Sequence, residues 1–306
     1  MLLTGQKQQV KQKFPINKYI YKLGNDLAKQ FNMKKFQLFN DFEIASYACL
    51  NLNETELIQI NDAQPINNKI KSVCGPGTGL GVSMIVPHQK YQGSDEYVYQ
   101  VWPGEGGHCS FPAVTQLQQE FHEFLLQYHN DKTAIALEYV FAGPCIPFMY
   151  QFFKLKYPDA ELVCENNEGE NLFDLDNYLK KVHSSDSKER ETAHFPSHRI
   201  IQYGVNEEDQ ICHEVVKLFI SIYENAIGDI AIRTLSYSGI YLVGSMTIAI
   251  LPYLLKNRKQ FMKEYIDNRP YLKNIFSKIP IYVVRNVEMG LDGAFFVTKQ
   301  MAINSE

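Results

Sequence analysis

The chain has 306 residues, enough for one large domain or two of ordinary size, and either would bury a substantial core. Hydrophobic residues make up 45% and charged residues 21%, close to the globular average, which excludes a wholly disordered chain. The net charge of −4 lacks the basic excess of a nucleic-acid binder, and the longest apolar runs, such as Ile248 to Leu255, are too short to span a bilayer. The six cysteines, at 49, 74, 109, 145, 164 and 212, form no CxxC pair. They read as reduced, mostly buried thiols of a cytoplasmic protein, not as a disulfide frame or zinc site. The first 35 residues carry eight lysines against one acid, Asp26, which reads as a solvated helix face ahead of an interaction arm or a transit peptide.

Ile16, Ile20, Leu23, Leu27 and Phe31 recur at helical spacing and predict an amphipathic helix over 16–31. "FQLFND" (36–41) reads as a short strand ending on two polar residues, followed by a helical stretch from Phe42 to about Leu52. "ELIQIND" and "KIKSVC" read as strands, the second running straight into "GPGTGLG"; "VSMIV" (82–86) and "YVYQVW" (97–102) read as a hairpin. Leu117, Phe121, Leu125 and Tyr128 mark a helix over 114–129. A second helix is expected over 144–157 and a long third over 205–236, with Ile211, Val215, Leu218, Ile222 and Ala226 on one face. A polar, acid- and Ser-rich excursion with some helix fills about 159–200. "SGIYLVG" (238–244) and "IPIYVV" (279–284) are late strands, each followed by a helix-like segment. Strands alternating with helices predict an α/β fold with a largely parallel central sheet.

Four stretches have the residue types for chemistry. In "CGPGTGLGVSM" (74–84) the glycines let backbone amides approach an anion, and Thr78 offers a hydroxyl to a phosphate oxygen. Leu80 stands where a GxGxxG fingerprint needs glycine, and no GK[ST] follows, so neither familiar phosphate motif fits; a plain glycine-rich hairpin is the competing reading. "FNDF" (39–42) sets Asn40 and Asp41 after a strand, where an aspartate can serve as general base, or either residue can simply cap the next helix. In "GEGGHCSF", Glu105 offers acceptors and His108 a donor or acceptor, the mix a polyol needs, although a tight turn would look alike. Glu138, in "ALEYVFAGP", is either an exposed helix-end acid or a carboxylate facing a cleft.

In order, "FNDFEIAS", "GPGTGLGVSMIV", "PGEGGHCSF", "EYVFAGP" and "YLVGS" closely resemble the bacterial-type glucokinase family, over about Thr4 to Thr298. The branch that includes transcriptional repressors is not resembled, because its cysteine cluster is absent. The resemblance implies an α/β, two-lobed actin-like/hexokinase (RNase H-like) fold. A small α/β domain is then expected over 1–52, completed by a C-terminal helix at about 287–306, with a large α/β domain over 53–286. It further implies ATP-dependent phosphorylation of glucose, with Asp41 as catalytic base. Asn40, Glu105, His108 and Glu138 are implied as glucose ligands, Gly75, Gly77, Thr78 and Gly79 as a phosphate loop, and Gly244 as part of an adenosine-contacting turn. Mg²⁺ would accompany the ATP, and no protein-borne metal is implied.

Two departures stand out. Ser245 replaces the second glycine usual in the "LVGS" turn, and the family's Asp-x-Gly-Gly-Thr first phosphate loop occurs nowhere in the sequence. The small domain is therefore expected to be incomplete, with an edge and apolar surface open to a homodimer or partner chain. An impaired sugar-binding or scaffold homologue is the alternative to an active kinase.

Overall fold

The computed structural model describes residues 2–4, 24, 26–33, 35–128 and 134–303. The chain divides into two compact units, residues 1–52 with 288–306, and residues 53–287.

In the first unit β1 (Leu2–Thr4) pairs antiparallel with β2 (Lys35–Gln37). Residues 26–30 form the helix α1; the predicted helix over 16–31 otherwise lies largely outside the described residues, and Phe31 sits exposed in the turn beyond it. The strand expected over 36–41 is shorter than its apolar run, ending at Gln37. Asn40 then opens α2 (Asp41–Ala48): its side-chain carbonyl accepts from the backbone N–H groups of Phe42 and Glu43 at 2.9 and 3.1 Å. α13 (Met289–Ile303) packs on α2, with the Tyr47 and Phe296 rings stacked at 6.2 Å. The two backbones meet at Gly293, where a side chain would collide with the Ile44 carbonyl.

The second unit is built on a six-stranded sheet of order β3-β8-β7-β4-β5-β6. β4 (Lys71–Pro76), β5 (Leu80–Gln89) and β6 (Tyr97–Gly104) form two successive hairpins, the first through a tight turn and the second through residues 90–96, so each pairs antiparallel with the next. β7 (Ile240–Leu242) lies parallel to β4 and to β8 (Ile281–Val284), while β3 (Leu57–Gln59) runs antiparallel to β8. The sheet is therefore mixed, not largely parallel: two hairpins in succession force the reversals.

Helices cover this sheet in chain order: α3 (Gln116–Leu125), α4 (Ile146–Lys156), α5 (Val163–Glu168), α6 (Leu175–Val182), α7 (Ser187–Glu191), α8 (Ser197–Val205), α9 (Gln210–Thr234), α10 (Ser245–Lys256), α11 (Arg258–Asp267) and α12 (Lys273–Phe276). The helix expected over 205–236 is α9, which starts five residues later, at Gln210. Asp209 sets that start, its carboxylate accepting from Cys212 N at 2.8 Å as the cap of α9 and from Cys164 N at 2.9 Å. α9 is apolar nearly all round, which is the signature of a helix inside a core: Ile211, Val215, Phe219, Ile222 and Tyr223 are all buried. Among the described residues no helix is long and apolar enough to cross a membrane.

Candidate functional site in the larger unit

Two local turns and one long-range register assemble the site. β4 enters β5 through Gly77, Thr78 and Gly79, with Gly77 N donating to Gly79 O at 2.8 Å. This tight reversal exposes Thr78 at its tip. The strand–turn–strand reading of "GPGTGLG" holds, since no helix follows the glycines. The second turn leaves β6: Glu105 precedes a single 3-10 turn, Gly106–His108, closed by His108 N donating to Glu105 O at 3.0 Å. The turn can form only because Gly107 lies against β5. A Cβ on Gly107 would stand 2.5 Å from the Leu80 carbonyl oxygen, so any side chain would push the turn off the strand.

The chain then pairs with a segment some 25 residues on. Ser110 and Ala136 form an antiparallel bridge, Phe111 N donates to Ile135 O at 2.8 Å, and Leu137 N donates to Cys109 O at 2.7 Å. This register brings Glu138, on a short 3-10 turn, against His108: Glu138 Oε1 is 3.2 Å from His108 Nδ1, and Glu105 Oε2 is 3.6 Å from His108 Nε2. The imidazole thus sits between two carboxylates. Glu138 is the more enclosed, 23% exposed against 58% for Glu105 and 62% for His108. The exposed helix-end reading of Glu138 does not describe it. Its Oε2 reaches the Gly77–Gly79 turn, standing 3.2 Å from where a Gly79 Cβ would be.

The same turn is braced from two further sides. Gly143 N donates to Gly77 O at 2.8 Å. Gly244 precedes α10 with φ +97°, and a Cβ there would meet Pro76 O at 2.8 Å. Only glycine combines that φ with that approach. The first turn of α10 has no side-chain cap, so its free N–H groups and the positive end of the helix dipole lie beside the glycine turn, an arrangement suited to phosphate. Ser245 occupies the first helical position and leaves this approach intact. Gly75 lies within β4, opposite Gly81. Gly143 was not among the residues expected to matter; the Gly-Pro break after Ala142 was its only signal in the sequence.

Asn40 and Asp41 belong to the smaller unit. Both are exposed at the start of α2; Asn40 is the cap, and Asp41 Oδ1 accepts from Phe42 N at 2.8 Å. The capping reading therefore holds for Asn40, and the Asp41 carboxylate stays open to solvent. Cys74, beneath the glycine turn, is fully buried, and burial pushes its thiol up to about 12. All six cysteines are free thiols.

A mixed sheet whose glycine turn abuts a carboxylate–imidazole–carboxylate cluster on one side and a helix N-terminus on the other has the actin-like ATPase fold. Solved structures share that fold. The glucokinase from an Antarctic psychrotroph matches with TM-score 0.63 at 21% identity, covering 89% of this chain and 71% of its own. Glucokinase from Balamuthia mandrillaris, solved in complex with glucose, matches with TM-score 0.62 at 18% identity over 87% of this chain and 66% of its own. The Glucokinase family model matches residues 21–301, and the chain belongs to that family. It is 27% identical over 268 residues to the glucokinase of a Nostoc species, covering 88% of this chain and 72% of that protein. To the glucokinase of a Synechocystis species it is 27% identical over 271 residues, 89% of this chain and 70% of the relative.

Proposed function

We propose that the chain binds glucose through Glu105, His108 and Glu138 and, with Asp41 as general base, transfers the γ-phosphoryl group of ATP to the sugar's 6-hydroxyl. The observation that carries this reading is the cluster itself. Two carboxylates flank one imidazole at 3.2 and 3.6 Å, beside a glycine turn able to cradle phosphate. The carboxylates accept hydrogen bonds from sugar hydroxyls, and His108 adds a group that donates or accepts. Partial enclosure of Glu138 strengthens its bonds relative to those of exposed Glu105.

ATP supplies the phosphoryl group when bound. The residues present fit its phosphates: the backbone of Gly77–Gly79, the Thr78 hydroxyl and the uncapped first turn of α10 all offer donors to anionic oxygens. Gly75 and Gly244 keep the backbones on either side close-packed. Mg²⁺ arrives on the nucleotide. Asp41 takes the proton of the 6-hydroxyl as it attacks, and Asn40 supplements the sugar contacts. Catalysis of this kind rests on positioning and on neutralising charge at the phosphoryl group. The setting proposed is the cytoplasm.

Calorimetric titration tests the binding half. Glucose should bind the wild-type chain, and Glu138→Gln should weaken it by about tenfold or more, the loss expected for one charge-assisted hydrogen bond. Equal affinity in the two proteins would remove Glu138 from the sugar site. Glucose binding without phosphorylation would favour a sugar-binding homologue.

A further inference from the structure

A cavity of about 310 Å³ lies between α9, α10 and α11. Leu218, Tyr253 and Phe261 give it apolar walls, Ser221, Asn257 and Gln260 add polar groups, and three glutamates line it. One of them, Glu214, is neutralised by Lys217 at 2.7 Å. The others are not. Glu224 is 2% exposed and its Oε2 has no hydrogen-bond partner among the described residues. The carboxyl within its reach is that of Glu264, whose Oε1 accepts from the Gln260 amide.

Two carboxyl groups facing one another in an apolar cavity need a positive charge, or a proton, between them. In the empty cavity a proton serves: burial and the Glu264 charge push the Glu224 carboxyl up to about 10. The cavity has space for about ten water-sized atoms at liquid density, far more than a proton requires. Among the described residues no group of three His, Cys, Asp or Glu side chains could hold a metal ion, so the donor set is poor for a divalent cation. An ammonium suits it better, because its hydrogens can bridge Glu224 and Glu264 while a carbon body lies against Leu218, Tyr253 and Phe261.

We infer that this cavity is a binding site for a primary ammonium with a small apolar body, held between Glu224 and Glu264. On binding, the ammonium takes the place of the shared proton, which leaves to solvent. The charged and titratable groups facing the pair are Glu214 and Lys217 from α9, Tyr253 from α10, and Glu264 itself from α11. Since Glu214 and Lys217 neutralise one another, no fixed cation competes with the ligand.

The test uses the full chain at pH 7.5 with benzylamine, and with benzyl alcohol as the neutral control of the same shape. Benzylamine should raise Tm in a concentration-dependent way, benzyl alcohol should not, and calorimetry in buffers of different ionisation enthalpy should register proton release. Glu224→Gln should weaken benzylamine by about tenfold or more, through loss of one charged acceptor. Glutamine matches the protonated carboxyl in size, and Glu264→Gln, less buried, provides a second variant should the first fail to fold. Equal responses to amine and alcohol, no response to either, or unchanged benzylamine affinity in the folded variants would each overturn the assignment and leave a shared proton only.

Discussion

Gly107→Ala is the sharpest perturbation of the candidate sugar site. The added methyl would lie 2.5 Å from the Leu80 carbonyl oxygen and 3.1 Å from Leu80 Cβ, and the first of these is backbone on backbone. No rotamer relieves it. Either the turn carrying Glu105 and His108 lifts away from β5, or β5 moves and takes the Gly77–Gly79 turn with it, because Leu80 pairs with Pro76 at the mouth of that hairpin. Overpacking of this kind costs about 1–3 kcal/mol. For a unit of this size that corresponds to a fall in Tm of about 2–12 °C. Gly77→Ala is the matched control, since its Cβ would have no atom within 4 Å, and its stability should stay within about 0.5 kcal/mol of wild type. Scanning calorimetry measures the stability change, and isothermal titration with glucose measures the site. The expected result for Gly107→Ala is a lowered Tm together with weakened glucose binding. A Tm and glucose affinity both equal to wild type would refute the claim that close packing of Gly107 on Leu80 sets the turn.

Gly244→Ala should raise the KM for ATP more than that for glucose in steady-state kinetics, because both its φ of +97° and its contact with Pro76 O resist a side chain at the start of α10. Under native conditions a thiol reagent at pH 8 should label Cys109 first, as read by mass spectrometry of digests. Cys109 is half-exposed, whereas burial pushes the Cys74 and Cys145 thiols up to about 12. The raised carboxyl of Glu224 binds its proton more tightly in the folded than in the unfolded chain. Its contribution to stability is therefore full below the ordinary carboxylate range and lost as pH rises toward about 10. Urea titrations from pH 5 to 9 should show wild type losing stability with rising pH by more than Glu224→Gln does.

Features governed by short-range pattern were readable in the sequence. The β4–β5 and β5–β6 hairpins, the buried face of α9 and the glycine turn all follow from local periodicity and from glycine placement. The orientation of the sheet was misread because alternating strands and helices suggest crossovers, while two hairpins in succession impose antiparallel pairing. The start of α9 was set five residues early, at 205, because only the Asp209 cap, which also holds Cys164 N, marks where it begins. For the site, Glu105 and His108 were evident as a pair from their spacing. Glu138 gained a definite place only through the Ser110–Ala136 bridge, and Gly143 only through its bond to Gly77 O; such registers leave no local trace in one sequence.

Formation of glucose 6-phosphate from glucose and ATP–Mg²⁺ by the 306-residue chain, beside the same chain carrying Asp41→Ala, tests the proposed chemistry most directly. The account predicts turnover by the wild type and a fall of about 10²–10⁴-fold in kcat for the variant, the usual worth of a general base. Glucose affinity and Tm should change little, since Asn40 caps α2 and Asp41 is exposed. Turnover in Asp41→Ala equal to wild type, or none in the wild-type chain at saturating substrates, would contradict it.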